Sequence, residues 1–248
     1  MTMRDFFDAH PEAAIGFSGG VDSAYLLYEA SRHCRRCWAY YVKSPFQPAF
    51  ELADARRLAR ELGVPMTVLP VEILEVPGVA ANPANRCYLC KRVIFSAIQA
   101  QAKADGFSVL LDGTNASDQV SDRPGMRALE ELAVLSPLRL CGLTKQEIRD
   151  RSRAAGLFTW DKPAYACLAT RIPTGEEITL EKLAAVEQTE AFLMELGFSD
   201  FRVRTTGSTA RLQLRRDQLP QLLEYREKIL KTLKQWYQSV VLDLEVRL

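Results

Sequence analysis

The sequence predicts an α/β protein in which a parallel β-sheet with crossover helices is followed by a small α+β domain. Over the first 160 residues, short apolar runs alternate with amphipathic segments, which is the rhythm of β-α-β units. From about residue 197 onwards, apolar and charged residues alternate strictly, which is typical of a hairpin with one buried face. We therefore expect two domains, 1–160 and 161–248.

The first apolar strand leads into a glycine-rich loop, SGGVDS, which opens a helix. Gly19 and Gly20 let the backbone approach an anion, and the helix N-terminus directs N–H groups to the same place. Ser18 and Ser23 add hydroxyl groups, and Asp22 is suited to hold Mg²⁺. The loop is neither a Walker A sequence nor a dinucleotide fingerprint. It resembles the PP-loop of ATP pyrophosphatases, which cleave ATP between its α and β phosphates; an ordinary turn is the alternative.

The remaining elements of the first domain repeat the strand and helix pattern. Gly63 ends one predicted helix, and a capping box begun by Thr144 and closed by Glu147 starts another. The predicted strands are 38–42, 65–71 and 109–111, and the predicted helices are 48–62, one opened by 82–91 that runs towards 105–106, 126–132 and 144–155.

Polar residues follow two of these strands. Ser44 comes after the second strand, and Thr114, Asn115 and Asp118 come after the strand at 109–111. The carboxyl ends of parallel strands face the ligand in doubly wound sheets. We therefore expect Ser44, Thr114 and Asn115 to contact the nucleotide, although 112–118 taken by itself is better explained as a hydrogen-bonded surface turn.

The second domain is predicted to begin with a long loop, 164–175, and a helix, 179–196. In the hairpin that follows, apolar residues such as Val203 and Leu212 are expected to face inward and arginines outward. Guanidinium groups offer paired donors that suit phosphate and carboxylate. A solvated strand face is the alternative. The outward arginines are Arg202, Arg204, Arg211 and Arg215, and the later elements are helices at 218–224 and 227–237 and a strand at 240–246.

The overall charge of the chain gives no indication of a polyanionic partner. The chain has 32 Lys and Arg against 31 Asp and Glu, a formal net charge of +1. This balance argues against nucleic acid or a membrane surface as the partner. No apolar run reaches the length of a membrane span, and residues 1–6 lack the apolar core of a signal peptide. We expect a cytoplasmic protein.

In a reducing compartment, the 6 cysteines are expected to be metal ligands, catalysts or buried thiols rather than disulfides. Cys87 and Cys90 lie one helical turn apart and suit a soft metal or an iron–sulfur cluster. Cys167 or Cys141 is available as a further ligand, and spacing alone does not choose between them. Cys141 lies in an apolar stretch and is expected to be a buried, inert thiol.

Several motifs, in the same order along the chain, resemble the LarE family of ATP-dependent sulfur transferases. This family helps to build the nickel-pincer nucleotide cofactor of lactate racemase. The resemblance runs from near residue 12 to near residue 215. The motifs are SGGVDS at 18–23, NPANRCYLCK at 82–91, DGTNASD at 112–118, DRPG at 122–125, DKPAYACLATRIPTG at 161–175 and GFSDFRVRTTGSTARLQL at 197–214.

The resemblance implies an adenine nucleotide alpha-hydrolase-like fold and a substrate that is a pyridinium mononucleotide with two carboxylates. ATP would adenylate a carboxylate with loss of pyrophosphate, and sulfur would displace AMP to leave a thiocarboxylate. The family's phosphate- and carboxylate-binding positions match Arg171, Arg202, Arg204 and Arg211, and Asp22 matches the Mg²⁺ ligand. The family's multimers imply a homo-oligomer.

The resemblance also implies one of two sulfur sources. In one form of the family, a cysteine matching Cys167 gives up its own sulfur. In the other, three cysteines hold a [4Fe-4S] cluster that carries a sulfide supplied by a sulfide donor. Because Cys87 and Cys90 are present with Cys167, we expect the cluster form, with these three thiols and Asp22 as catalytic residues.

Some residues depart from the family pattern. Gln213 stands where an acid is common, which puts a metal ligand there in doubt, and Asn85 stands where the family often has Asp. Cys34 and Cys37 lie outside the pattern and are expected to be structural. The competing functions are another PP-loop ligase or tRNA thiolase, and an iron–sulfur or nucleotide-binding module without turnover.

Overall fold

The computed structural model describes residues 1–118 and 124–245. These residues divide into two compact units. The first unit contains Met1–Ile73 and Asn85–Lys162, and the second contains Leu74–Ala84 and Pro163–Leu248. Two of the residues of the DRPG motif, Asp122 and Arg123, lie outside the described residues, as does the end of the predicted last strand.

The first unit contains a parallel sheet of four strands in the order β3-β2-β1-β4. The fold predicted from the sequence is therefore confirmed for this unit. The strands are β1 (Glu12–Gly16), β2 (Arg36–Lys43), β3 (Met66–Pro70) and β4 (Leu110–Leu111). The helices are α1 (Met3–Ala9), α2 (Val21–His33), α3 (Ala49–Glu61), α4 (Arg86–Ala104), α5 (Pro124–Glu131), α6 (Pro137–Leu140) and α7 (Lys145–Ala154).

Both faces of β1 are buried at 13–15 and both faces of β2 are buried at 39–42, which explains the apolar runs of these two strands. Ala13 and Ile15 of β1 belong to one hydrophobic core, which includes residues of α2, α3 and α7. Ala14 points to the opposite face and joins a second core with α4 and α5. Successive side chains of a strand alternate between faces, so one short apolar strand supports two helical layers.

The second unit is built on a sheet of three strands in the order β5-β6-β7. The predicted hairpin is present: Val203 pairs with Leu212, and Arg204 lies directly opposite Arg211. β7 then pairs in parallel with β6. The elements are α8 (Leu180–Glu195), β5 (Arg202–Thr206), β6 (Thr209–Gln213), α9 (Leu219–Glu224), α10 (Arg226–Leu233) and β7 (Ser239–Leu242).

Two local expectations are corrected. The helix predicted at 126–132 begins at Pro124 instead, as the fixed φ of proline suits the first turn of a helix, and it ends at Glu131. Arg202, expected on an outward face, is only 6% exposed. Among the described residues, no helix is both long enough and apolar enough to cross a membrane.

Candidate active site

The SGGVDS loop connects β1 to α2 at the carboxyl end of the sheet. Gly19 has a φ of +75°, and a Cβ there would lie 3.2 Å from the carbonyl oxygen of Glu51 in α3. Gly20 caps α2 with extended backbone and no side-chain hydrogen bond. A glycine is thus required at 19 by conformation and by the close approach of α3, while the first turn of α2 keeps its N–H groups available to an anion.

The two serines of the loop contact each other. The hydroxyl oxygens of Ser18 and Ser23 lie 3.0 Å apart, and the Ser23 hydroxyl donates to the carbonyl of Gly20 at 3.2 Å. Ser23 is buried, whereas Ser18 is exposed. Ser23 therefore shapes the loop, and Ser18 is the serine that the loop presents outward.

The segment after β4 packs directly against this loop. A Cβ on Gly113 would lie 2.9 Å from the backbone nitrogen of Ser23, so only glycine fits there without a shift. Thr114 and Asn115 follow and are buried. The Thr114 hydroxyl donates to Asp112, and the Asn115 side chain accepts from the backbone of Ser117 at 2.8 Å. The structure thus places the 112–118 cluster beside the loop, as the strand order predicts.

Ser44 lies at the end of β2, on the same edge of the sheet. It is buried, and its hydroxyl donates to Gln47 at 2.7 Å while accepting from the backbone of Phe46 at 3.2 Å. These contacts use the hydroxyl to form the turn before α3. Nucleotide contact through the Ser44 side chain stays a prediction.

Asp22 is paired with a lysine that the sequence analysis did not select. The Nζ of Lys145 in α7 lies 2.6 Å from Oδ2 of Asp22. The other carboxylate oxygen, Oδ1, is buried and has no hydrogen-bond partner among the described residues. A buried carboxylate oxygen without a donor suits a cation, because its desolvation is otherwise uncompensated.

A second unselected lysine, Lys162, reaches the loop from the end of the first unit. Its Nζ donates to the carbonyl of Gly19 at 3.4 Å and lies 2.8 Å from Oδ2 of Asp54 in α3. The sequence gives one indication of Lys145, which directly follows the helix cap Thr144. It gives no indication of Lys162 beyond the position of this residue in the 161–175 motif. Their separation from the loop by more than a hundred residues hides both from local patterns.

In the second unit, Cys167 precedes a short 3₁₀ turn, Leu168–Arg171, and is partly exposed. Its carbonyl accepts from the backbone and the hydroxyl of Thr170, at 3.0 and 2.8 Å. The guanidinium of Arg171 donates to the carbonyl of Ala166 at 3.1 Å. The backbone on both sides of Cys167 is therefore hydrogen-bonded, which fixes the position of the thiol-bearing residue.

Arg171 lies in a buried ion pair. It is 1% exposed, and Nε and Nη2 donate to Glu190 of α8 at 2.8 and 3.2 Å. Tyr165 and the backbone of Val203 donate to the same carboxylate. Burial disfavours the charged guanidinium, but hydrogen bonding and attraction to Glu190 outweigh it and raise the pKa of Arg171. Arg171 therefore organises the Cys167 loop from within the unit.

Sequence analysis missed Glu190, although a signal for it exists. Leu183, Val186, Glu190 and Leu193 follow one another at helical spacing, and all are buried in α8. A carboxylate on an otherwise apolar helical stripe requires a buried cationic partner. The sequence alone did not identify Arg171 as that partner.

The hairpin arginines differ in their surroundings. Arg202 is buried and donates to the backbone carbonyls of Phe201 and Ala164. Arg204 donates to the carbonyl of Thr170 at 3.3 Å, so it lies beside the turn that follows Cys167. Arg211 is exposed, 3.4 Å from Asp243.

Gln213 occupies the position where the resemblance leads one to expect an acid. Its side-chain oxygen accepts from Nε of Arg204 at 3.3 Å. A neutral amide thus takes the place of a carboxylate next to this guanidinium, and the local charge stays more positive than with an acid.

Cys87 and Cys90 lie in the first turn of α4, as predicted, with Cys87 exposed and Cys90 buried. Both belong to the first unit, whereas Cys167 belongs to the second. Within residues 1–118 and 124–245, no group of three or more His, Cys, Asp or Glu side chains is arranged to hold a metal ion. The geometry gives the predicted iron–sulfur cluster no support.

The other cysteines, Cys34, Cys37 and Cys141, are partly buried thiols of the first unit. Burial raises the pKa of the Cys34 thiol to about 12 and that of Cys37 to about 11, so both are protonated at neutral pH. Burial likewise raises the pKa of Cys141. Cys141 was expected to be buried but is only partly buried. Protonated thiols are poor nucleophiles and poor ligands.

Comparison with known proteins finds relatives that match almost the whole chain. An uncharacterised protein of Synechocystis sp. is 37% identical over 98% of this chain and 92% of its own length. The pyridinium-3,5-bisthiocarboxylic acid mononucleotide synthase of Lactiplantibacillus plantarum is 28% identical over 93% and 84%. A tRNA-specific 2-thiouridylase of Pseudothermotoga lettingae is 28% identical over 64% and 56%. No protein-family model matches the sequence.

Proposed function

The chain belongs to the LarE family of PP-loop sulfur transferases, ATP-using enzymes, and from this premise we propose that it converts a carboxylate of a pyridinium mononucleotide into a thiocarboxylate. The observation that supports the proposal is the PP-loop with Asp22, whose Oδ1 is buried and has no hydrogen-bond partner among the described residues, in a chain that also holds Cys167 in a hydrogen-bonded loop. The substrate class comes from the named relative, which is a pyridinium bisthiocarboxylic acid mononucleotide synthase.

The first step is adenylation. A carboxylate oxygen of the substrate attacks the α-phosphorus of ATP, and the bond to the β-phosphate oxygen breaks to release pyrophosphate. The extended glycine loop and the N-terminus of α2 supply backbone N–H groups for the phosphates, and Ser18 is the exposed hydroxyl of the loop. This step makes a poor electrophile reactive, because AMP is a much better leaving group than an oxide.

Asp22 is the residue that would hold Mg²⁺. Its Oδ1 lacks a donor among the described residues, and Mg²⁺ sites with ATP need only one or two protein carboxylates, the other ligands being phosphate oxygens and water. A bound Mg²⁺ would neutralise phosphate charge. Lys145 holds the second oxygen of Asp22 at 2.6 Å and so orients the carboxylate.

The second step is sulfur transfer. A sulfur nucleophile attacks the carbonyl carbon of the acyl adenylate, AMP leaves, and a new carbon–sulfur bond forms. Cys167 takes part in either of the two sulfur sources. Arg171, which is paired with Glu190, donates to the carbonyl of Ala166 and so supports the backbone beside Cys167.

The finer part of the proposal concerns the sulfur source. We propose that Cys87, Cys90 and Cys167 hold a [4Fe-4S] cluster. The presence of all three thiols in the family's motifs supports this proposal. The alternative is that Cys167 gives up its own sulfur and becomes dehydroalanine. The two sources differ in iron content and in whether one chain acts once or repeatedly.

The proposed function is tested by supplying Mg²⁺–ATP and a pyridinium dicarboxylate mononucleotide to the protein under anaerobic conditions. We expect pyrophosphate release that depends on the mononucleotide, and a product in which mass spectrometry finds sulfur in place of a carboxylate oxygen. Unmodified tRNA is the comparison substrate. Pyrophosphate release with tRNA but not with the mononucleotide would assign the chain to the tRNA thiolases instead.

The cluster proposal predicts about four irons and four acid-labile sulfides per chain in anaerobically purified protein. Replacing Cys87 by alanine should remove the visible absorption and most of the iron, because a cubane cluster with two remaining thiolates is weakly held. Cys141→Ala is the matched control and should keep both. A colourless wild-type protein that makes product while Cys167 loses its sulfur would leave the family intact and remove the cluster.

A further inference from the structure

The PP-loop contains no lysine. A Walker A loop supplies a lysine that reaches the β- and γ-phosphates, but the sequence Ser18 to Ser23 has only serine hydroxyls and one carboxylate. ATP carries several negative charges, which backbone N–H groups and one Mg²⁺ only partly balance. The cation that faces the outer phosphates must therefore come from another part of the chain.

Lys162 reaches the loop directly. Its ammonium lies 3.4 Å from the carbonyl oxygen of Gly19 and 2.8 Å from Oδ2 of Asp54. The ammonium has three N–H donors, and among the described residues these two contacts use two of them. The side chain is 15% exposed and passes over the ring of Phe50, with Nζ 5.5 Å from the ring centroid.

The backbone of Lys162 is fixed as well. Its carbonyl accepts from Nη2 of Arg149 at 2.9 Å, and the carbonyl of Trp160 accepts from Nη1 of the same guanidinium at 2.7 Å. The amide of Lys162 donates to the carbonyl of Thr159 at 3.1 Å. A lysine held at both ends loses little conformational entropy on binding a ligand, so more of its attraction becomes affinity.

We infer that Lys162 is a ligand of the β- and γ-phosphates of ATP. When the nucleotide occupies the loop, the Lys162 ammonium moves part of its contact from Asp54 to a phosphate oxygen, because the triphosphate carries several negative charges and Asp54 carries one. Asp54 holds the ammonium beside the loop before ATP arrives. The inference rests on the proposed use of ATP and adds a residue to that site.

The experiment measures nucleotide binding without catalysis. Titration calorimetry with Mg²⁺ and α,β-methylene ATP, an analogue that releases no pyrophosphate, is compared for wild type and Lys162→Met. We expect the variant to bind the analogue about ten to a hundred times more weakly, the range for loss of a hydrogen bond between charged groups. Affinity for AMP, which lacks the outer phosphates, should change by less than about twofold, which also shows that the variant is folded.

Two further variants separate a ligand from a structural ion pair. Asp54→Asn should bind the analogue as well as wild type or more tightly, because it leaves the ammonium available to phosphate. Lys182→Met is the matched control in the second unit, since Lys182 also contacts a carboxylate, Glu176 at 2.9 Å, and a backbone carbonyl, Glu177 at 2.7 Å. It should bind like wild type.

The inference is overturned if Lys162→Met binds the analogue with wild-type affinity. It is also overturned if Asp54→Asn and Lys162→Met weaken binding equally, since the pair would then only support the loop. Failure of the wild-type protein to bind the analogue is a different result, because it contradicts the proposed function itself.

Discussion

Replacing Cys167 by alanine is expected to abolish thiocarboxylate formation, with a loss of at least about a thousandfold, the scale on which removal of a nucleophile reduces turnover. Cys167 is the thiol shared by both sulfur sources. Its backbone lies in a loop that accepts hydrogen bonds from Thr170 and Arg171. The measurement is product formation by mass spectrometry over a single turnover.

The same variant should still release pyrophosphate when the mononucleotide is present. Adenylation requires the loop of the first unit, and Cys167 belongs to the second. Pyrophosphate without thiocarboxylate therefore separates the two steps. Cys141→Ala serves as the control that keeps both steps. Full product formation by Cys167→Ala would show that sulfur is delivered without this residue.

Replacing Asp22 by asparagine is expected to reduce pyrophosphate release by at least about a hundredfold, because a group that positions transition-state charge is removed. The amide has nearly the same shape but no charge, so it loses the ion pair with Lys145 and the anionic Oδ1 that suits Mg²⁺. Initial rates at saturating mononucleotide, measured across a range of Mg²⁺ concentrations, provide the test.

A matched control for Asp22 is Asp150→Asn, which changes an exposed carboxylate on α7 of the same unit. It should release pyrophosphate at the wild-type rate. If Asp22→Asn does the same at every Mg²⁺ concentration, the carboxylate serves only to pair with Lys145 and the proposed Mg²⁺ ligand is wrong.

Much of the first unit could be predicted from the sequence, because the residues that identify its elements lie close together in the chain. The apolar run of β1, the two glycines after it and the first turn of α2 are neighbours in the chain, and each has one conformational consequence. The Thr144 capping box was predicted and is present with both of its hydrogen bonds. Such features need only a few adjacent residues to be recognised.

The second unit shows where local patterns mislead. Alternation in the hairpin was predicted with the arginines outward, and the pairing is as expected, but Arg202 is buried. Its environment depends on the carbonyl of Ala164, 38 residues away in the chain. The segment Leu74–Ala84, which no pattern assigned to the second unit, belongs to it through the Asn82 side chain, which donates to the carbonyl of Pro173 at 2.7 Å.

The sequence by itself determined the family and the glycine-rich SGGVDS loop between a strand and a helix, because these depend on residue types in short motifs. Only the tertiary structure decided which charges meet: Lys145 with Asp22 across 123 residues, Lys162 with Asp54, and Arg171 with Glu190 inside the second unit. Electrostatic attraction acts through space and falls with distance between atoms, so the identity of an ion-pair partner is not written in the neighbouring sequence.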